Sequence, residues 1–221
     1  MTLSDEDCYL RLREAITREE LLPNERLIEM DLVQSLGAGR AAIRTALARL
    51  ELEGLVERER YRGARVRLIS QEEAIEILET RAALESLAAR YAAVKVTLAE
   101  SYALFGLLAE QRQRIDAGDL LASSDVNAQL HQMLLSIANH ATATRLLELL
   151  KPQQVRFQYR TILVPGRPEH SHQEHCAIVE AVARHDPDEA EAAMRRHLTQ
   201  VAEALRQTKA ARPAKDDECE R

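Results

Sequence analysis

Tryptophan is absent from the 221 residues, and aromatic side chains make up 3% of them. A core without large rings must be assembled from Leu, Ala, Ile and Val, which suits packed helices. Cysteine is scarce too: Cys8, Cys176 and Cys219 are odd in number and far apart. That excludes a disulfide framework or a cysteine metal cluster and fits a reduced compartment. No apolar run is long enough to span a membrane, and the N-terminus MTLSDEDCYL is acidic rather than a signal peptide. A cytoplasmic protein with no membrane partner is expected. Strand patterning is missing after Leu68, so the second part of the chain should be an antiparallel all-α bundle.

What is present is concentrated between Leu36 and Val66, LGAGRAAIRTALARLELEGLVERERYRGARV. Gly37 and Gly39 break a helical run over Glu29 to Leu36, which should bury Leu32, Val33 and Leu36. A second helix follows, apolar at Ile43, Ala46, Leu47 and Leu50, and Gly54 stops it. Leu55–Arg58 and Ala64–Leu68 alternate apolar and charged residues as two short strands, with Arg60 and Arg62 at the tip of the loop between them. Helix, tight turn, helix and basic hairpin describe a winged helix-turn-helix, whose second helix enters the DNA major groove.

Charge agrees with that reading. Arg40 to Arg67 holds eight Arg against four Glu, a local +4, whereas Met1 to Gly39 is a local −5 in a chain of net −6. The one basic zone lies where phosphates would be neutralised. Candidate DNA contacts are Arg40, Arg44, Thr45 and Arg49 on the helix, and Arg60, Arg62 and Gly63 in the wing.

The stretch resembles the DNA-binding domain of GntR-family bacterial transcription regulators. The resemblance rests on Arg40, Ile43, Arg44, Ala46, Leu47, Leu50, Glu53-Gly54-Leu55-Val56 and Arg62-Gly63-Ala64. The chain departs from that pattern at Gly39, where Ser or Thr is usual, at Ala41-Ala42, often Thr-Pro, and at Thr45, often Glu. Gly is a weaker cap than Ser, and the lost hydroxyl at position 41 removes a phosphate or base contact, so the operator sequence cannot be borrowed from relatives.

Around this unit, Asp5 to Arg18 reads as a first helix, apolar at Leu10, Leu12 and Ile16. Ser70-Gln-Glu-Glu73 reads as a capping box opening a long helix to about Val94, amphipathic through Ile75, Leu78, Ala82, Leu87 and Tyr91. A second capping box, Thr97 to Glu100, starts a helix ending near Gly118. Ser123 or Ser124 should cap a third carrying Leu130, Leu134 and Ile137. A fourth runs from Thr142 to about Leu163, with a kink expected at Pro152. After a loop at Val164–Pro168, a fifth spans Glu169–Arg184. Asp186-Pro187-Asp188-Glu189 opens a sixth, to about Thr208. The organisation is therefore residues 1–69, a winged helix-turn-helix; 70–208, a helical effector-binding and dimerisation domain; and 209–221, a charged, disordered tail.

Histidine placement in the bundle suggests chemistry. Asn127 and His131, at i and i+4, share a helix face. His197 follows His175 by 22 residues, a separation that sets them side by side on antiparallel helices rising ~1.5 Å per residue. Three imidazoles and an oxygen make a reasonable metal site inside a bundle. Isolated helical His are more often structural, and spacing alone leaves both readings open.

The bundle also resembles the FCD effector-binding domain of the FadR branch of the same family, through ETRAALESLAARYAA (79–93), NAQLHQMLLSIAN (127–139) and EHCAIVEAVARHDPDEAEAAMRRHL (174–198). That resemblance implies a divalent metal, zinc or nickel, on Asn127, His131, His175 and His197, with Asn127 standing where Asp is usual. It also implies an effector-facing Arg81, which an ion pair with Glu85 at i+4 explains equally well. His170 and His172 read as surface residues.

The expectation is a homodimeric regulator, more often a repressor, that binds an inverted-repeat operator and responds to a small carboxylate. Two alternatives stand beside it. A metal-dependent hydrolase could use three His to activate water, but no general base at useful spacing, HExxH or nucleophile motif is found. A constitutive DNA-binding protein would use the bundle for dimerisation alone.

Overall fold

The computed structural model describes residues 3–18, 20–59 and 63–208, the side chains at 59 and 154–160 excepted. The 209–221 tail, with Cys219, lies outside the described residues, as do Arg60 and Arg62 of the wing.

Helix α1 (Asp5–Thr17) opens on a capping box of Ser4 with Asp7. It buries Cys8, Tyr9, Leu12 and Ile16, while Leu10, expected on that face, points to solvent. Short strand β1 (Arg26–Leu27) leads to α2 (Glu29–Leu36), where Leu32 is buried and Val33 and Leu36 are half-buried. The turn follows. Gly37 closes α2 in the left-handed region at φ 62°, a conformation that favours Gly. Helix α3 (Arg40–Leu52) starts at Gly39 with no side-chain cap, so the missing hydroxyl is not replaced. Strands β2 (Val56–Glu59) and β3 (Gly63–Val66) form the wing, and β1 adds to β3 antiparallel, giving the order β1-β3-β2. Ile43, Leu47, Leu50, Val56 and Val66 close this core.

Helices α4 (Gln71–Lys95), α5 (Leu98–Asp116), α6 (Leu120–Ala138), α7 (Ala141–Ile162), α8 (Arg167–Ala183) and α9 (Pro187–Gln207) build the bundle. The buried side of α4 is an alanine seam, Ala74, Ala82, Ala88, Ala89, Ala92 and Ala93, that permits close packing; Leu87 is half-buried and Tyr91 exposed, contrary to expectation. Ser70 caps α4 by accepting from the Glu73 amide, but the Glu73 carboxylate goes to Arg67 rather than completing a capping box. The Thr97–Glu100 box is complete. Asp119, after the left-handed Gly118, caps α6, so Ser123 and Ser124 lie buried inside it. Helix α7 continues through Pro152. The 163–166 loop is shorter than expected because Pro168 sits in the first turn of α8, where its missing N–H costs nothing.

Candidate functional sites

The bundle brings together three histidines distant in sequence. His131 from α6, His175 from α8 and His197 from α9 are all buried, and their ligating atoms cluster within 4.8 Å. Nε2 of His175 lies 3.4 Å from Nε2 of His131 and 3.3 Å from Nε2 of His197. Two nitrogens each about 2.0–2.1 Å from one ion at the tetrahedral angle would stand roughly 3.3–3.4 Å apart.

The opposite edge of each ring is occupied. His131 Nδ1 lies 2.5 Å from Glu85 Oε2, His197 Nδ1 lies 2.7 Å from Glu174 Oε2, and His175 Nδ1 lies 3.1 Å from Gln111 Oε1. Carboxylates and amide oxygens only accept, so each Nδ1 carries the hydrogen and each Nε2 presents a lone pair inward. Outer partners that orient metal-binding imidazoles do this. Burial, reinforced by the neighbouring imidazoles and Arg167, pushes His175 and His197 well below the usual imidazole range, which leaves both rings neutral.

Burial alone would raise the Glu85 carboxyl, but the Arg81 guanidinium and His131 outweigh it and hold the group at about 2. Burial raises Glu174, against the pull of Arg167 and His170. The fourth expected ligand, Asn127, one turn before His131, has a buried Oδ1 with no hydrogen-bond partner. Three convergent lone pairs and an orphaned amide oxygen fit a divalent ion. His172 is half-buried, with Nδ1 3.2 Å from Gln111 Oε1, and is not part of the cluster.

A cavity of about 170 Å³ opens beside the cluster, its wall including Arg81, Asn127, His131, Lys151, Arg167 and His197. Arg81 does both things its sequence left open: it lines this cavity and pairs with Glu85, at 2.5 Å. Gln111, Arg167 and Glu174 were missed in the sequence, and Glu85 was read only as a partner of Arg81, not of His131. Glu85 had one signal, a carboxylate within the alanine seam between Ala82 and Ala89. Glu174 reads as a mere neighbour of His175, yet it serves the His of the next helix.

The DNA-reading candidates divide. Arg40, Arg44 and Thr45 lie exposed on α3, and the two Arg are held only loosely by Glu29, at 3.8 and 3.4 Å. Arg49 turns the other way: its guanidinium stacks 3.5 Å from the centre of the Tyr9 ring and reaches Glu6 at 2.5 Å. Arg58 pairs with Glu51, Arg65 with Glu57 and Arg67 with Glu73. Gly63 opens β3 at φ 84° and is exposed. Four of the eight Arg between 40 and 67 are thus held by carboxylates, Arg67 by one on α4.

The family model described as bacterial regulatory proteins, gntR family, matches residues 5–66, and the FCD domain model matches residues 76–200. The chain belongs to the GntR family. RspR, an HTH-type transcriptional repressor of Escherichia coli K12, is 29% identical over 92% of this chain and 89% of its own length. NanR, an HTH-type transcriptional repressor of Escherichia coli K12, is 31% identical over 86% of this chain and 80% of its own. The solved structure of E. coli McbR/YncC shares the fold, with a TM-score of 0.74 at 20% identity over 94% of this chain and 99% of that one. This member of the GntR family, with its FCD domain, is a DNA-binding transcription regulator and not an enzyme. The hydrolase alternative falls with that. Among the described residues no helix is long and apolar enough to cross a membrane.

Proposed function

We propose that this protein is an effector-responsive transcriptional repressor, a homodimer that holds an inverted-repeat operator and releases it when a small carboxylate enters the bundle cavity. The observation that carries the reading is the buried three-His cluster on the wall of that cavity, with every Nδ1 already engaged and Asn127 Oδ1 unpaired. A zinc or nickel ion held by His131, His175, His197 and Asn127 would supply the positive charge a carboxylate seeks. A bundle used for dimerisation alone needs neither the cluster nor the cavity. The named relatives are repressors, which favours repression over activation.

Residues 1–69 and 70–208 are the reading and sensing domains in this proposal. Arg40, Arg44 and Thr45 would face the major groove, with Arg60, Arg62 and Gly63 on the backbone beside it, whereas the packing of Arg49 argues against its contacting DNA. On α5, Leu98, Tyr102 and Phe105 form an exposed apolar stripe one and two turns apart, which suits a surface buried between two copies. Helix α7 supports the coupling: Leu147, Glu148 and Lys151 line the cavity, and Gln153, just beyond, touches the end of α3.

The test is operator release. Metal-loaded protein bound to its operator is titrated with a panel of small carboxylates and followed by mobility shift and calorimetry. Release by one of them, lost after the metal is stripped, supports the reading. Operator binding that ignores both metal and every acid would leave a constitutive DNA-binding dimer.

A further inference from the structure

Arg167, at the start of α8, is the unexplained group of this cavity. It is 7% exposed, a degree of burial an Arg tolerates only with its hydrogens engaged. One arm is accounted for: Nη2 donates to Glu174 Oε2 at 2.8 Å, and the same Oε2 accepts from Nδ1 of His197 at 2.7 Å. The other arm is not, because Nη1 is buried with no hydrogen-bond partner among the described residues. An unpaired buried donor on a charged group is costly, and native structures keep few of them. Arg81, the other guanidinium on the wall, places both Nε and Nη2 on Glu85 Oε1, at 2.6 and 2.5 Å, so Glu85 offsets its charge.

From this arrangement we infer that Arg167 is a second anion anchor, and that the effector is a small dicarboxylate with one carboxylate at the three-His cluster and the other on Arg167 Nη1. The inference rests on the effector reading above and narrows it. Size agrees: a cavity of about 170 Å³ is close to one of roughly 150 Å³ that takes benzene, so the ligand has few heavy atoms. Charge agrees as well. The described cavity-lining residues include three cations, Arg81, Lys151 and Arg167, against two carboxylates, Glu85 and Glu148. An ion on three neutral imidazoles and an amide would add to that excess. A guanidinium whose one arm is fixed by Glu174 presents the other without further loss of freedom, which favours a carboxylate acceptor.

The experiment compares zinc-loaded wild type with Arg167→Lys by calorimetry. The ligands are linear dicarboxylates of three to six carbons, each paired with the monocarboxylate of equal length. Lysine keeps a cation for Glu174 but has no second arm. The expected result is a preference of at least tenfold for one dicarboxylate over its monocarboxylate partner in the wild type, falling below threefold in the variant. Zinc affinity should stay within about threefold, which separates a lost anchor from a disturbed metal site. Equal binding of the two classes by wild type, or a preference that survives in Arg167→Lys, overturns the inference while leaving a metal-anchored monocarboxylate effector intact. Binding of neither class, with operator binding unaffected by both, overturns the effector reading and this inference together. If Arg167→Lys loses zinc, Arg167→Gln, with an amide that still donates to Glu174, replaces it under the same criteria; loss of zinc there too overturns the anchor role in favour of a structural one.

Discussion

The side-chain amide of Gln153 in α7 donates to the backbone carbonyl of Glu53, the residue that ends α3, at 3.0 Å. Gly54 makes room for it. Gly54 stands at φ 68°, and a Cβ there would come within 2.9 Å of Gln153 Nε2. Arg67, just after β3, reaches Glu73 of α4 and lies 3.5 Å from Gln153 Oε1, so a second link beside this one ties the winged helix-turn-helix to the bundle. Pro152 has no N–H for the Glu148 carbonyl, so one helical hydrogen bond is missing between the cavity-lining Glu148 and this clasp.

Removing the clasp should uncouple the domains. Gln153→Ala is expected to cost about 1 kcal/mol of stability, the scale of one hydrogen bond. Its operator affinity should change little, while release by the effector should be largely lost. Mobility shifts with and without ligand measure this; release that persists at wild-type ligand concentrations would locate the coupling elsewhere.

Arg44 carries the sequence-reading prediction. It is exposed and only loosely held by Glu29 at 3.4 Å, so it is available to DNA. Arg44→Ala should lose about 1–3 kcal/mol on the operator if it reads a guanine, and much less on random DNA. Arg62→Ala in the wing should weaken both alike and flatten the salt dependence. Arg49→Ala, by contrast, should lower stability through its Tyr9 and Glu6 contacts. Operator affinity unchanged in the first two variants would remove α3 and the wing from the interface.

In the proposed site Asn127 would set the charge of the metal. A divalent ion on three neutral imidazoles and a neutral amide keeps its full charge, so metal and anionic ligand should favour each other. Asn127→Asp is expected to tighten zinc and weaken the carboxylate, whereas His175→Ala should abolish both. Calorimetric titrations of zinc with and without the carboxylate check the pair. A carboxylate that binds metal-stripped protein as well as loaded protein would make the three His structural.

In the proposed site Glu85 would stand one step behind the metal. Its carboxylate, held at about 2 against its own burial by Arg81 and His131, fixes the His131 ring. Glu85→Gln should leave Arg81 without its counter-charge and weaken zinc by about 10–100-fold, the usual cost of losing such an outer partner. Competition against a chelator measures it, with circular dichroism to establish that the bundle is intact. Unchanged zinc affinity would mean that His131 is oriented by packing alone.

Acid should weaken the metal-free protein. Folded His175 and His197 are held well below the ordinary imidazole range, first by burial and then by neighbouring imidazoles and Arg167. The unfolded chain takes up those protons near pH 6.5. Below that pH the unfolded state binds more protons than the folded one, so this stability is full above about 6.5 and is lost as pH falls. The urea midpoint of chelator-treated protein should drop from about pH 7 to about pH 5, with a smaller drop in His175→Gln. Equal slopes in the two proteins would mean that other groups dominate.

Local signals were enough for the elements. Gly37, Gly39 and Gly54 punctuate the helix-turn-helix, and Thr97 and Asp186 cap helices where they stand, because caps and left-handed turns depend on neighbours within a few residues. The same locality explains the misses. Leu10 reads as core by hydrophobicity, but Cys8 and Tyr9 take the face toward α3, and Asp119 rather than Ser123 caps α6 because it directly follows the Gly118 turn. The four ligand candidates were legible from spacing and family resemblance together. What only the tertiary structure decided is which groups stand behind them. Glu85, Gln111 and Glu174 meet His131, His175 and His197 across 46, 64 and 23 residues of chain, and the arm of Arg167 that has no partner among the described residues emerges only once the helices are packed. A side chain's charge is written in the sequence; whether that charge is matched depends on distances that exist only after the helices have packed.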